Sequence, residues 1–130
     1  MCLYSWQKRK KSSKDIICYK VFICDKDGNN LTSRYRDAFK WIIGKLTKAE
    51  RAKAGCIKRD GEITTGYFHS YEKAKEAIES ILSPELYHER GKSLLVYECI
   101  IPAGSYYYYG IHSDGREGYA SKELIVVKCV

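Results

Sequence analysis

Residues 16–24 read Ile-Ile-Cys-Tyr-Lys-Val-Phe-Ile-Cys, nine positions rich in β-branched and aromatic side chains and carrying one charge. That composition predicts a strand. Two-residue alternation then places Ile17, Tyr19, Val21 and Ile23 on one face, the expected core face. Asp25 to Asn30 is a turn cluster, with Gly28 and the two asparagines suited to positive φ, and Leu31 to Ser33 begins a returning strand. Residues 35–46 fit two periods. Tyr35, Phe39, Ile42, Ile43 and Leu46 have helical spacing, whereas Phe39, Trp41 and Ile43 alternate. The helix would leave Trp41 off its buried stripe and Gly44 closes the run, so a strand is favoured. The lysine-rich stretch 45–60 reads as a long loop with a helical turn at Lys48 to Ala54.

The segment Gly66-Tyr67-Phe68-His69-Ser70-Tyr71 reads as a short aromatic strand running into a helix. Ser70 is the expected N-cap and Glu72 suits the positive end of the helix dipole. Ala74, Ala77, Ile78, Ile81 and Leu82 form the apolar stripe, and Ser83-Pro84 ends the element. Leu94 to Ile101 is a second strong strand, broken by Pro102-Ala103-Gly104. Tyr106 to Tyr109 resumes an extended path, His112 to Gly118 turns, and Leu124 to Val130 is the last strand. Strands, one main helix and further strands predict an α+β fold: a curved antiparallel sheet of about five or six strands with one helix packed on it. Residues 1–14 form a basic N-terminal arm, which Leu3, Tyr4 and Trp6 can dock, and residues 15–130 a single domain.

With 130 residues, 45% hydrophobic and 30% charged, the chain is long enough for one cored domain. No apolar run approaches the roughly 20 residues that cross a bilayer, and the run at Ile16 to Cys24 lacks a cleavage site. We therefore expect a cytoplasmic protein with no membrane partner. Six cysteines without a CxxC pair, four of them in apolar strand-like runs, read as reduced core thiols. His69, His88 and His112 share no metal-ligand spacing, and no P-loop, GxGxxG, GxSxG or HExxH occurs, so neither metal nor cofactor is expected.

The net charge of +7 is unevenly placed, with +5 in residues 1–14 and +7 in residues 34–59. Such asymmetry points to an anionic partner. Alternation in Tyr106 to Tyr109 sends one pair to the core and leaves the other as a stacking platform, where each base gains about 1–3 kcal/mol. We assign binding to Arg34, Arg36, Lys40, Trp41, His69, Tyr71, Tyr106 and Tyr108, with Lys8, Arg9, Lys10 and Lys11 as a nucleic-acid arm. The function expected is binding of a nucleic acid or nucleotide rather than catalysis.

Tyr19-Lys20-Val21-Phe22 with Asp27-Gly28, Gly66 to Tyr71 before an Ala-rich helix, Val96 to Gly104, and Tyr119-Ala120-Ser121-Lys122 together resemble a loose group of small uncharacterised phage and large-virus proteins. The resemblance covers roughly residues 16–130. It implies a viral counter-defence factor in the host cytoplasm, or in the nucleus of a eukaryotic host, for which the run Lys8 to Lys11 fits an import signal. The order of elements is also similar to the ADP-ribosyltransferase fold. That likeness would set Tyr19, His69 or Tyr71, and Glu123 in the roles of its triad, but the motifs around them depart from the family's pattern, which argues against catalysis. A third reading is a protein–protein inhibitor that docks a host factor through Trp6, Tyr35 and Trp41.

Overall fold

The computed structural model describes residues 3–5, 7–25, 31–33, 36–49, 61, 67–81 and 92–130. Its strands are β1 (Leu3–Tyr4), β2 (Lys10–Lys11), β3 (Ile16–Asp25), β4 (Leu31–Ser33), β5 (Arg36–Trp41), β6 (Leu46–Lys48), β7 (Phe68–Tyr71), β8 (Lys92–Ile101), β9 (Tyr106–His112), β10 (Glu117–Ser121) and β11 (Glu123–Cys129). One helix, α1 (Ala74–Ile81), follows β7.

The expected α+β class is thus corrected. Among the described residues the protein is mostly β, with eleven strands in one sheet and a single eight-residue helix, not five or six strands under a main helix. β4 is the returning strand expected at Leu31 to Ser33, whereas the extra strands β1, β2 and β6 are two or three residues long, too short for any period to mark them. They exist because neighbours of strong strand character recruit them.

Every pairing is antiparallel, in the order β1-β9-β10-β7-β3-β8-β11-β6, with β2 also on β9 and β4 bridging β3 to β5. The longest pairing joins β3 to β8 from Ile16↔Ile101 to Asp25↔Lys92. The sheet curls. Leu3, from the strand at one end of the order, shares one buried cluster with Leu124 and Val126 of β11, Phe22 of β3 and Trp41 of β5.

Both faces of β3 are covered, and this corrects the expected core face. Cys18, Phe22 and Cys24 point into the curl, while Val21 packs with Val96, Tyr71 and Ala77 beneath α1. Ile17, an expected core residue, is 55% exposed. A strand buried on both sides reads as a continuous apolar run, so alternation could not pick the inner face. Lys20 falls on the inward parity and is buried with it.

Two further expectations are corrected. Ser70 is not a helix cap; it is a buried residue of β7 paired with Tyr119, and α1 starts at Ala74. The loop expected from residue 45 contains β6, which pairs with β11. The strand reading of residues 35–46 agrees with β5 as far as Trp41, whose ring lies edge-on to Phe22 and Phe68 at 5.4 and 4.6 Å. Of the helical turn expected at Lys48 to Ala54, Lys48 instead ends β6 and residues 50–54 lie outside the described residues, as do Leu82 and Ser83-Pro84.

Candidate functional site

The basic segment near the N-terminus is built into the sheet beside the tyrosine run. Lys10 and Lys11 are register partners of Tyr107 and Tyr106. The Ser12 amide donates to the Ser105 carbonyl at 2.9 Å and the Gly104 amide to the Ser12 carbonyl at 2.7 Å, so the turn before β9 clasps the segment. The Arg9 guanidinium lies 4.0 Å above the Tyr106 ring and the Lys11 ammonium 5.9 Å from it, in cation–π geometry.

Alternation divides the four tyrosines of β9. Tyr108 is buried and meets Tyr67 edge-on at 5.4 Å. Tyr107 and Tyr109 take the opposite face, where Tyr119 of β10 stands against both, at 5.8 and 5.4 Å. These three rings line a groove of about 480 Å³. Ile16 and Ile17 add apolar surface, Lys10 and Lys14 supply cations, and Asp15 adds a carboxylate. That carboxylate already accepts the Ala103 amide at 2.9 Å.

At Tyr109 the sign of charge reverses. Its hydroxyl lies 2.7 Å from Oε2 of Glu72 and 2.7 Å from Oε2 of Glu117, and donates its one proton to either carboxylate. Burial and these two acceptors raise the hydroxyl's pKa far above the ordinary tyrosine value. The Tyr109 hydrogen bond holds Glu117 below the usual carboxylate range. Tyr119 is pushed up to about 12 by burial and then by Glu72. The Tyr109 and Tyr119 hydroxyls are therefore neutral at physiological pH, with lysines at one side of the groove and a carboxylate pair at Tyr109.

A second polar group is sealed in the core. The Lys20 ammonium donates to the His69 carbonyl at 2.7 Å, and burial lowers its pKa to about 8. His112 Nε2 donates to the Ser70 carbonyl at 2.7 Å, and burial lowers the imidazole to about 4, so the ring is neutral. Gly118 permits this approach, because a Cβ there would collide with the Ser70 carbonyl oxygen and with His112 Nε2. Cys18 and Cys99 are register partners on β3 and β8, both free. Burial pushes Cys18 up to about 12 and Cys99 well above the ordinary thiol range, so neither of these two serves as a thiolate nucleophile. Among the described residues no group of three or more His, Cys, Asp or Glu could hold a metal ion.

The sequence-predicted site is not brought together. Trp41, Tyr71 and Tyr108 are core residues rather than binding surface; Tyr71 donates its hydroxyl to Asp114 Oδ2 at 2.9 Å. His69 is half-buried on β7, and Tyr106 is exposed beneath Arg9. Arg36 and Lys40 lie on β5, and Arg34 is outside the described residues, as are His88, Trp6 and Tyr35. Lys8 and Arg9 precede β2, which holds Lys10 and Lys11. Glu123 lies on β11, two strands from Tyr19 on β3 in the sheet order. The residues that sequence reasoning missed are Lys14, Glu72, Tyr107, Tyr109, Glu117 and Tyr119. A hairpin reading of the segment from Tyr106 to Ser121 would have set Tyr119 opposite Tyr109, which is the register found.

No family model, curated protein or solved structure matches this chain. Among the described residues no helix is long and apolar enough to cross a membrane.

Proposed function

We propose that the protein binds a nucleotide or single-stranded nucleic acid in the tyrosine groove, without catalysing a reaction on it. One observation carries the reading: Lys10 and Lys14 line the same groove as Tyr107, Tyr109 and Tyr119. Phosphates meet the lysines and release counterions, while a base lies against a tyrosine face. The carboxylates of Glu72 and Glu117 repel phosphate, so the phosphate side of the ligand runs along β2 and away from Tyr109. The Tyr109 and Tyr119 hydroxyls remain neutral and the Cys18 and Cys99 thiols protonated, an arrangement suited to holding a ligand. Counter-defence use of such binding, by sequestering a component of a host's defence, follows from the viral resemblance.

Fluorescence anisotropy of labelled oligo-dT and oligo-U across a salt series tests the reading. Lys10→Glu with Lys14→Glu should weaken binding and lower the salt slope by about 2, one for each phosphate contact. Tyr107→Ala with Tyr119→Ala should weaken binding by about 5- to 100-fold with the slope unchanged, because stacking is not an ionic interaction. Wild-type protein that binds neither oligonucleotides nor mononucleotides would refute the proposal.

A further inference from the structure

A tight turn leads from Trp41 into β6. The Lys45 amide donates to the Ile42 carbonyl at 3.2 Å, and Gly44, in the third position, has φ of 82°. That is the form of a type II turn, which needs glycine where Gly44 stands. The turn is anchored: the Gly44 amide donates to the Val126 carbonyl at 2.7 Å, the adjoining Trp41 is buried, and Leu46 faces Ile125 across β6 and β11. A Cβ built on Gly44 would meet no heavy atom within 4 Å, so the tip projects into open space.

The residues at this tip contradict ordinary turn chemistry. Its first two positions usually hold Pro, Asp, Asn or Ser. Here they are Ile42 and Ile43, 57% and 51% exposed, followed by Leu46 at 40%. β-Branched apolar side chains gain nothing from water, and the Gly44 and Lys45 hydrogen bonds fix the turn without them. Their neighbours are basic. From Trp41 to Ala49 the charges are Lys45 and Lys48, both exposed, and no carboxylate occurs. Along β11, Glu123 lies opposite Lys48, and Lys128 adds positive charge.

We propose that this turn is a docking tip for an anionic lipid surface. An apolar point with a lysine rim is the arrangement by which interfacial segments sink side chains among acyl chains and leave ammonium groups at the lipid phosphates. Charge complementarity selects the partner. A second copy of the chain would bring like-charged lysine rims together, which disfavours self-association. A protein pocket is also a poorer fit, because adjacent side chains at a tight turn diverge, whereas a fluid interface takes each separately. A lipid partner departs from the sequence-based expectation of no membrane partner, and it uses a different surface from the groove.

The test is co-sedimentation with phosphatidylcholine vesicles, with and without phosphatidylserine. Wild-type protein should pellet with the phosphatidylserine vesicles and far less with phosphatidylcholine alone. Ile42→Ser with Ile43→Ser should lower that partitioning by about tenfold or more at an unchanged melting temperature, since both side chains are already exposed. Lys45→Glu with Lys48→Glu should lower it on anionic vesicles by about thirtyfold or more, from two lysines near a charged surface. All four substitutions should leave oligonucleotide binding unaltered, which separates this tip from the groove. Failure of the wild type to pellet with phosphatidylserine vesicles overturns the proposal. So does pelleting that is insensitive to the isoleucine substitutions, which would mean charge attraction alone. A dimer in solution dispersed by Ile42→Ser and Ile43→Ser would also overturn it, in favour of pairing between copies.

Discussion

Lys20 offers a test of the whole burial pattern, because it is a cation on the inward parity of the central strand. It is 9% exposed, and its ammonium has the His69 carbonyl as a partner at 2.7 Å. Burial lowers its pKa from 10.5 to about 8. At about 1.4 kcal/mol for each factor of ten, keeping the charged form folded at neutral pH costs about 3 kcal/mol. Lys20→Met keeps the stem and removes the charge. It also removes a hydrogen bond worth about 1–2 kcal/mol, so the variant should be more stable than wild type by about 1–2 kcal/mol at neutral pH.

The pH dependence is the sharper measure. Between about 8, the folded value, and 10.5, the unfolded one, the unfolded chain holds more protons at Lys20 than the folded protein does. The lysine contribution to wild-type stability therefore improves as pH rises through that window. Cys18 acts the other way: its folded value is raised from 9.0 to about 12, so it lowers stability as pH rises past 9. Wild type alone would show these trends cancelling. The difference between Lys20→Met and wild type retains the lysine effect only, and should shrink by about 1 kcal/mol from pH 8 to pH 9. Urea unfolding in reductant, fitted for midpoint and slope at each pH, gives that difference. A gap that stays constant with pH, or a variant destabilised by several kcal/mol throughout, would show that Lys20 does not carry a buried, desolvated charge.

Gly118→Ala should lower stability by about 3 kcal/mol, because the new Cβ meets the Ser70 carbonyl and His112, and β7 must separate from β10 to admit it; the melting temperature reads the effect, and an unchanged value would show that the two strands pack less closely. Val21→Asp should leave no cooperative unfolding transition, since an unpaired carboxylate between Val96, Tyr71 and Ala77 costs several kcal/mol. Among the described residues Cys18, Cys24, Cys99 and Cys129 are free, and all six cysteines are expected from the sequence to be reduced, so melting curves with and without reductant should coincide; a fall of several degrees on reduction would reveal a bridge.

The strong strands were legible because composition and length agree: β3, β8 and β11 are seven to ten residues of β-branched and aromatic side chains. Which face of β3 points inward was not, since α1 covers one side and the curled sheet the other. The basic residues 8–14 read as an arm because lysine has no strand preference; Lys10 and Lys11 become a strand only through the tyrosines of β9. Two of the aromatics expected at the binding surface are buried for a related reason. Trp41 and Tyr71 look like exposed aromatics in sequence, but each packs on another strand, Trp41 on Phe22 and Tyr71 on the His112 ring at 4.7 Å. Exposure is a property of pairing, and three of the strands that decide it, β1, β2 and β6, are too short to announce themselves.

The tyrosine run shows how register decides the site. Tyr106 to Tyr109 are chemically identical, so their own side chains prefer neither face, and a one-residue slip would exchange the face of Tyr106 and Tyr108 for that of Tyr107 and Tyr109. What fixes the choice lies outside the run. The Lys122 amide donates to the Tyr106 carbonyl at 3.0 Å, and the Ser5 hydroxyl to the Tyr109 carbonyl at 2.6 Å. The Ser12 contacts with Gly104 and Ser105 set where β9 begins. Gly118 sits opposite Gly110, two residues without side chains at the one level where His112 must reach Ser70. Backbone contacts from both sides of β9 therefore select which tyrosines can meet a ligand. Substitutions at Ser5, Ser12 or Gly118 should disturb the groove without touching its lining, whereas Tyr107→Ala should disturb the groove and leave the register intact.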